Sequence, residues 1–295
     1  MKNPLLSPVI AGGALIAVNA TAGAFDAVIV RFVSEDIHVF EIAFFRNAFS
    51  LLFLLPFLVR AGGLDFSSRF WGIHALRAFL KLGALVAYFL AILQLPLSVV
   101  MSIAFTTPLF TAFGSIVFLG ERARPARVIS ALVCIVGVLI VLRPGAAPIG
   151  SGAALALASA VGLGLVGMLM KLSAGREQPA RIVWLNLVIT VPIAFLLCLP
   201  FWTTPSLPML GLLALQGACG AIAQLSVAKA LSLADASVVM PVDFIRLPIA
   251  IVLGAVIFSE TTDAAVYVGG AIIFASAMML IRLERCRARQ PIEAD

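Results

Sequence analysis

Asp243 and Arg246 stand three residues apart in an otherwise apolar stretch, VVMPVDFIRLPIAIVLGAVIF, and this spacing sets both side chains on one face of a helix. A carboxylate and a guanidinium in such surroundings have two uses. They neutralise each other and lock helices together, or they look into a polar chamber and meet a charged or polar part of a small molecule. Three more ionisable groups interrupt apolar runs, namely Lys81, Asp26 and Arg46. At the centre of a bilayer each costs at least about 2.5 to 3.5 kcal/mol, so each is expected to face an interior cavity or a partner. At helical rise Asp243 and Arg246 lie roughly 10 and 15 Å into their span, and Lys81 reaches the depth of Asp243 from the same side. Asp26 and Arg46 match each other in depth near the other side. Two pairs follow as expectations, Lys81 with Asp243 and Asp26 with Arg46. Arg246, or its exchange with Asp243, is then left to meet cargo.

Weaker candidates surround these charges. Asn19, Asn47, Asn186, Gln216 and Gln224 carry amides within apolar runs, and each needs a partner from a helix or a ligand. Phe244, Tyr88, Phe89, Phe105 and Trp184 stack on a flat ring if they face the chamber, and otherwise meet lipid or neighbouring helices. Pro108, Pro192, Pro241 and Pro248 remove backbone hydrogen bonds and bend helices. Pro241 and Pro248 bracket Asp243 and Arg246, so carbonyls freed near residues 237 and 244 are expected to line the same cavity, and the two prolines are gating candidates. Arg77 and Glu41 are expected at the interface, where they serve orientation. Gly162, Gly164 and Gly167 allow close helix contact.

The elements that hold these groups are set by composition. The 295 residues are 62% hydrophobic and only 12% charged, and mean hydropathy is +1.15. A soluble domain has apolar residues near half and charged ones near a quarter, so this is an all-α membrane protein. Cutting the chain at charges, prolines and turns leaves ten spans, near residues 8 to 30, 39 to 59, 72 to 94, 97 to 119, 126 to 142, 149 to 171, 182 to 201, 208 to 231, 236 to 258 and 265 to 282. Residues Ala20, Ala22 and Ala24 also offer a signal-peptide cleavage pattern, but a lone Lys2 and a long apolar stretch fit a span better. With the N-terminus inside, fifteen of the twenty Lys and Arg fall on the cytoplasmic side and only Arg31 and Arg143 outside. Both termini are therefore expected in the cytoplasm.

That bias accounts for the net charge of +6 without nucleic acid. Cys134, Cys198, Cys219 and Cys286 lack metal or redox spacing and read as packing. His38 and His74 lie at span edges, and neither H-E-x-x-H nor G-x-x-x-x-G-K-[ST] occurs, so an intramembrane enzyme and direct ATP drive are disfavoured and no cofactor or metal is expected.

A shift of 139 residues lays LSVVMSIAFTTPLFTAFGSIVFLGE, ending at Glu121, onto ASVVMPVDFIRLPIAIVLGAVIFSE, ending at Glu260, with seven identities, and carries Arg143 onto Arg282. Two halves of five spans are implied, residues 1–145 and 146–285 with a cytoplasmic tail at 286–295, the second half inverted because five is odd. Arginines follow Glu121, whereas Thr261, Thr262 and Asp263 follow Glu260 with no cation nearby in sequence. Ala104 and Thr107 stand where Asp243 and Arg246 stand in the other copy, so the scaffold does not demand charges there. A channel, which needs rings of like charge in a symmetric oligomer, fits an internal inverted repeat poorly.

The ten spans, the run FEIAFFRNAFSLLFLLPF in the second and the two copies of a span ending in Gly-Glu or Ser-Glu resemble the EamA type of the drug/metabolite transporter superfamily, over nearly the full chain. With PLFTAFGSIVFLGE in the fourth span, the resemblance is to the bacterial branch that includes riboflavin and S-adenosylmethionine uptake carriers. It implies two inverted five-helix repeats around a central cavity, cytoplasmic termini and a secondary transporter of the bacterial inner membrane working by alternating access. The expected cargo is a small organic metabolite, first a vitamin or nucleoside-like compound such as riboflavin. S-adenosylmethionine uptake comes next, and export of amino-acid-derived metabolites third. Expected partners are the cargo, the lipid bilayer and coupled protons or a second substrate in exchange, with the chain a monomer or homodimer. Substrate contacts are expected from Asp243, Arg246, Lys81, Asn19, Gln224 and Phe244, and gating or charge pairing from Asp26, Arg46, Pro241 and Pro248.

Overall fold

A computed structural model describes residues 6–60, 64, 66–120, 125–143, 150–173, 177, 179–234 and 239–288. The first half holds α1 (Leu6–Val33), α2 (Val39–Arg60), α3 (Trp71–Gln94), α4 (Leu97–Ala104), α5 (Thr107–Leu119) and α6 (Pro125–Leu142). The second holds α7 (Ser151–Ser173), α8 (Pro179–Cys198), α9 (Leu207–Leu233), a 3-10 helix (Met240–Ile245), α10 (Arg246–Phe258) and α11 (Ala264–Ala288). Seven helical stretches among the described residues are long and apolar enough to cross a membrane. The span that joins the 3-10 helix to α10 and the shorter apolar stretches Val128–Leu142 and Ala264–Met279 complete ten crossings. The exterior carries Phe53, Phe118, Leu132 and Val256, large apolar groups suited to acyl chains and unsuited to water.

The 139-residue shift holds in three dimensions. It carries the last residue of α3, Gln94, onto that of α9, Leu233; the last of α5, Leu119, onto that of α10, Phe258; and the first of α6, Pro125, onto that of α11, Ala264. Packing obeys the same symmetry. α1 lies along α9 while its counterpart α7 lies along α3, and α2 packs on α8 and α6 on α11, each helix on its own counterpart. Five crossings separate α1 from α7, so α1 starts at one face, here the terminal face, and α7 starts at the opposite face.

Both copies break at the same place. α4 stops at Ala104 and α5 starts at Thr107, with Phe105 and Thr106 donating N–H to Ser102 and Ile103 carbonyls in tighter i→i−3 bonds. The Thr106 and Thr107 hydroxyls donate to the carbonyls of Ile103 and Ala104, both at 2.7 Å, and so cover oxygens that the break releases. In the second copy the chain runs as a 3-10 helix through Pro241 to Ile245 and becomes regular at Arg246, with Pro248 in the first turn of α10, where a missing N–H costs little. The Arg246 N–H turns back onto the Asp243 and Phe244 carbonyls, so the expected free carbonyl at residue 244 is taken, and residue 237 lies outside the described residues. α8 passes Pro192 without a break.

Lipid gives helices no hydrophobic drive to associate, so close approach comes from small residues. A side chain on Gly217 of α9 would overlap Phe49 of α2, and Ser50 donates to the Gly217 carbonyl at 2.8 Å. Gly162, Gly164 and Gly167 of α7 likewise lie against Ala84, Phe110 and Thr111. Cys134, Cys198 and Cys219 are buried free thiols.

Candidate functional site

Two ion pairs converge from α1, α2 and the broken ninth span. Arg46 Nε donates to Asp26 Oδ1 at 2.9 Å, the pair expected from matching depth, and its guanidinium rests beside Gly220 of α9, where no side chain intervenes. Arg246 Nη2 donates to Asp243 Oδ1 at 2.9 Å, and the same oxygen accepts Asn19 Nδ2 from α1 at 2.9 Å. Gly23, one turn beyond Asn19, leaves room for the Arg246 guanidinium against α1. The charges of both pairs reach Tyr88 of α3, whose hydroxyl donates to Met101 Sδ at 3.4 Å. The Arg246 and Asp243 side chains keep 23% and 16% of their surface exposed. Arg246 Nε is buried and has no partner among the described residues.

Aromatic rings close one side of this cluster. Phe105 and Phe244 are repeat counterparts, and their ring centroids lie 5.6 Å apart across the axis that relates the halves. Phe274 of α11 packs on Phe244 in a tilted arrangement, centroids 4.3 Å apart, and meets Phe105 edge-on at 6.2 Å. Among the other expected aromatics, Phe89 is fully buried in the core and Trp184 meets Phe66 edge-on at 5.6 Å away from the charges.

Several expectations are corrected. Lys81 does not pair with Asp243; its Nζ donates to Asn186 Oδ1 at 2.9 Å, because α3 packs on α7 and α8 while the 3-10 helix packs on α1. Arg246 is therefore compensated, and among the described residues Lys81 has no carboxylate partner. Gln224 lines a cavity with Lys81 and Arg77, apart from Asp243. Arg77 and Glu41, expected at the interface, are buried by neighbouring segments, being 2% and 0% exposed; Arg77 Nη2 donates to the Ile182 carbonyl at 2.6 Å, and Glu41 Oε2 accepts the backbone N–H and hydroxyl of Thr203, each at 3.0 Å. His74 lies at the edge of its span, in the first turn of α3, and is fully buried there with Nε2 2.7 Å from Glu177 Oε2. Glu260, with no cation near it in sequence, is met in space by Arg31 of α1, and its second oxygen accepts the Leu97 N–H at 3.0 Å. The sequence reading missed Phe274 and Glu177; Glu177 sits in a loop where an acid is unremarkable, and only His74, a helical turn inside α3, signalled a buried partner.

The comparisons agree with this architecture. The EamA-like transporter family matches twice, at residues 10–143 and 150–282. The chain is 32% identical to a riboflavin transporter of Rhizobium johnstonii over 84% of this chain and 83% of that protein. It is 26% identical to an S-adenosylmethionine uptake transporter of Rickettsia bellii over 88% of this chain and 89% of that one. A solved crystal structure superposes with a TM-score of 0.58 at 20% identity, covering 96% of this chain and 99% of that chain, and so supports the fold. With both halves matched across nearly all of the chain, the protein belongs to the EamA-like transporter family, a multi-pass membrane transporter of small molecules.

Proposed function

We propose that the chain is a secondary transporter that takes up an uncharged, flat heteroaromatic metabolite, riboflavin first, across the bacterial inner membrane by alternating access. One observation carries the cargo choice. Each carboxylate of the two converging pairs already has its own guanidinium, Asp26 with Arg46 and Asp243 with Arg246, both at 2.9 Å, so neither is spare for a net cation. S-adenosylmethionine carries a sulfonium and an ammonium against one carboxylate, and such a cation in a chamber without excess negative charge would be paired poorly. An uncharged ring system needs stacking surface and hydrogen bonds. Phe105, Phe244 and Phe274 supply the first, and Asn19, Tyr88 and the spare Arg246 Nε supply the second. The riboflavin-transporting relative supports the same reading.

In this reading Asp243 and Arg246 contact cargo, Asp26 and Arg46 hold α1 to α2, and the breaks at Pro108 and at Pro241 with Pro248 are hinges. Both termini lie in the cytoplasm, which makes the terminal face cytoplasmic. Coupling runs through protons or a second substrate in exchange, and the unit is a monomer or homodimer. The test is counterflow of radiolabelled riboflavin in proteoliposomes, with unlabelled riboflavin or S-adenosylmethionine inside. Saturable counterflow driven by riboflavin alone is expected. Counterflow driven by S-adenosylmethionine instead would transfer the protein to the reading that the Rickettsia relative supports.

A further inference from the structure

Lys81 occupies a setting the cargo chamber does not use. It stands 10 residues inside α3 on the wall of a cavity of about 120 Å³ shared with Arg77, Asn186 and Gln224. That volume is far above the roughly 10–15 Å³ that one water requires. The charges that reach Lys81 are both positive, those of Arg46 and Arg77. Its single hydrogen bond goes to a neutral oxygen, Asn186 Oδ1. Two donors beside it, Asn186 Nδ2 and Arg77 Nη1, are buried without partners among the described residues, in residues 4% and 2% exposed. Glu177, whose charge reaches Arg77, is engaged with His74 and Ser68. Buried donors without a protein acceptor, beside a cation whose one acceptor is neutral, describe the inside of an anion site.

We propose that this cavity binds a phosphate-class oxyanion, with Lys81 as the charge partner and Asn186 Nδ2 and Arg77 Nη1 as donors, at a site separate from the cargo chamber. Two sources share this chemistry: a soluble phosphate or phosphomonoester entering from the terminal face, and the headgroup of an anionic lipid. The site does not depend on which cargo is carried.

The test is thermal unfolding of the purified protein in phosphatidylcholine nanodiscs, in potassium phosphate against potassium chloride at equal ionic strength. Phosphate stabilises any fold by exclusion, so the readout is the difference between wild type and variants. Wild type is expected to gain a saturable extra rise in Tm that Lys81→Met lacks. Asn186→Asp sets a fixed carboxylate beside Lys81, and is expected to raise Tm in chloride while losing the extra phosphate response. Equal phosphate responses in wild type and Lys81→Met, or a full response in Asn186→Asp, would overturn the proposal. Adding phosphatidic acid to the nanodisc separates the sources: loss of the response to free phosphate, with Tm already raised, assigns the site to a headgroup, and an undiminished response assigns it to the soluble anion. No transported cargo enters this assay, so its failure and that of the uptake reading are read independently.

Discussion

The fourth and ninth spans share a design and differ in chemistry. Both break at the same repeat position, both place a phenylalanine there, Phe105 and Phe244, and both end in a left-handed residue followed by glutamate. Only the ninth carries charge at the break, with Asp243 and Arg246 where the fourth has Ala104 and Thr107. In the fourth, hydroxyls of Thr106 and Thr107 close the exposed carbonyls locally. In the ninth, side chains reach outward to Asn19 and toward Tyr88. The break therefore belongs to the scaffold, and the charges are an addition that one half carries for both.

Making the halves alike is the strongest way to break this contrast. Asp243→Ala with Arg246→Thr copies the first half into the second. Replacing both members of a buried pair is often neutral, so stability is expected to stay within about 2 kcal/mol of wild type. Transport is expected to fall more than about tenfold, which corresponds to about 1.4 kcal/mol of lost cargo binding. Arg246→Ala alone leaves Asp243 held only by Asn19, and a larger loss of Tm than in the double variant is expected. Counterflow near wild type in the folded double variant would make the pair a static lock.

How far this contrast was visible in advance depends on the kind of information each part needs. Span lengths and the shift of 139 residues are one-dimensional, and the helix ends at Leu119 and Phe258 fall where that shift puts them. Depth is one-dimensional too, and it suffices for Asp26 and Arg46 because α1 and α2 are joined by a short turn. Azimuth is not. Lys81 and Asp243 match in depth, yet α3 turns Lys81 toward α8, and only the packing of non-adjacent helices decides that. Arg77 and Glu41 misled for a related reason: a position near a span end reads as interfacial, but the ends of α3 and α2 are covered by the segments bearing Ile182 and Thr203.

Smaller tests sharpen the comparison at helix contacts. Gly217 of α9 has Ala78 of α3 as its counterpart, and Ala78 is accommodated with no exposure, while Gly217 has Phe49 against it. Gly217→Ala is expected to cost about 1–3 kcal/mol through overpacking, read as a fall in Tm. An unchanged Tm would mean that α2 and α9 separate without penalty. At the opposite face, Glu260→Gln removes the charge that pairs with Arg31, whose side chain is 21% exposed, and a loss of about 1 kcal/mol or less is expected. A faster reaction of a maleimide with a cysteine placed at Thr262 would register the loosened face, and an unaltered rate would show that the pair does not hold it shut.

The smallest effect concerns the residue before each glutamate. Gly120 ends α5 at φ +67° and Ser259 ends α10 at φ +55°, and each donates its N–H five residues back, to the carbonyls of Ser115 and Gly254. The left-handed region costs a residue with a Cβ roughly 1–2 kcal/mol, and glycine gives back part of that advantage through its freer unfolded chain. Ser259→Gly is therefore expected to raise stability by about 0.5–1 kcal/mol, and Gly120→Ser to lower it by about as much. Both are measured by thermal unfolding, with counterflow unchanged because neither residue touches the mid-depth pairs. If Ser259→Gly instead lowers Tm, the serine side chain contributes more to the α10 terminus than the backbone strain removes, and the two span ends differ in chemistry as well as their breaks do.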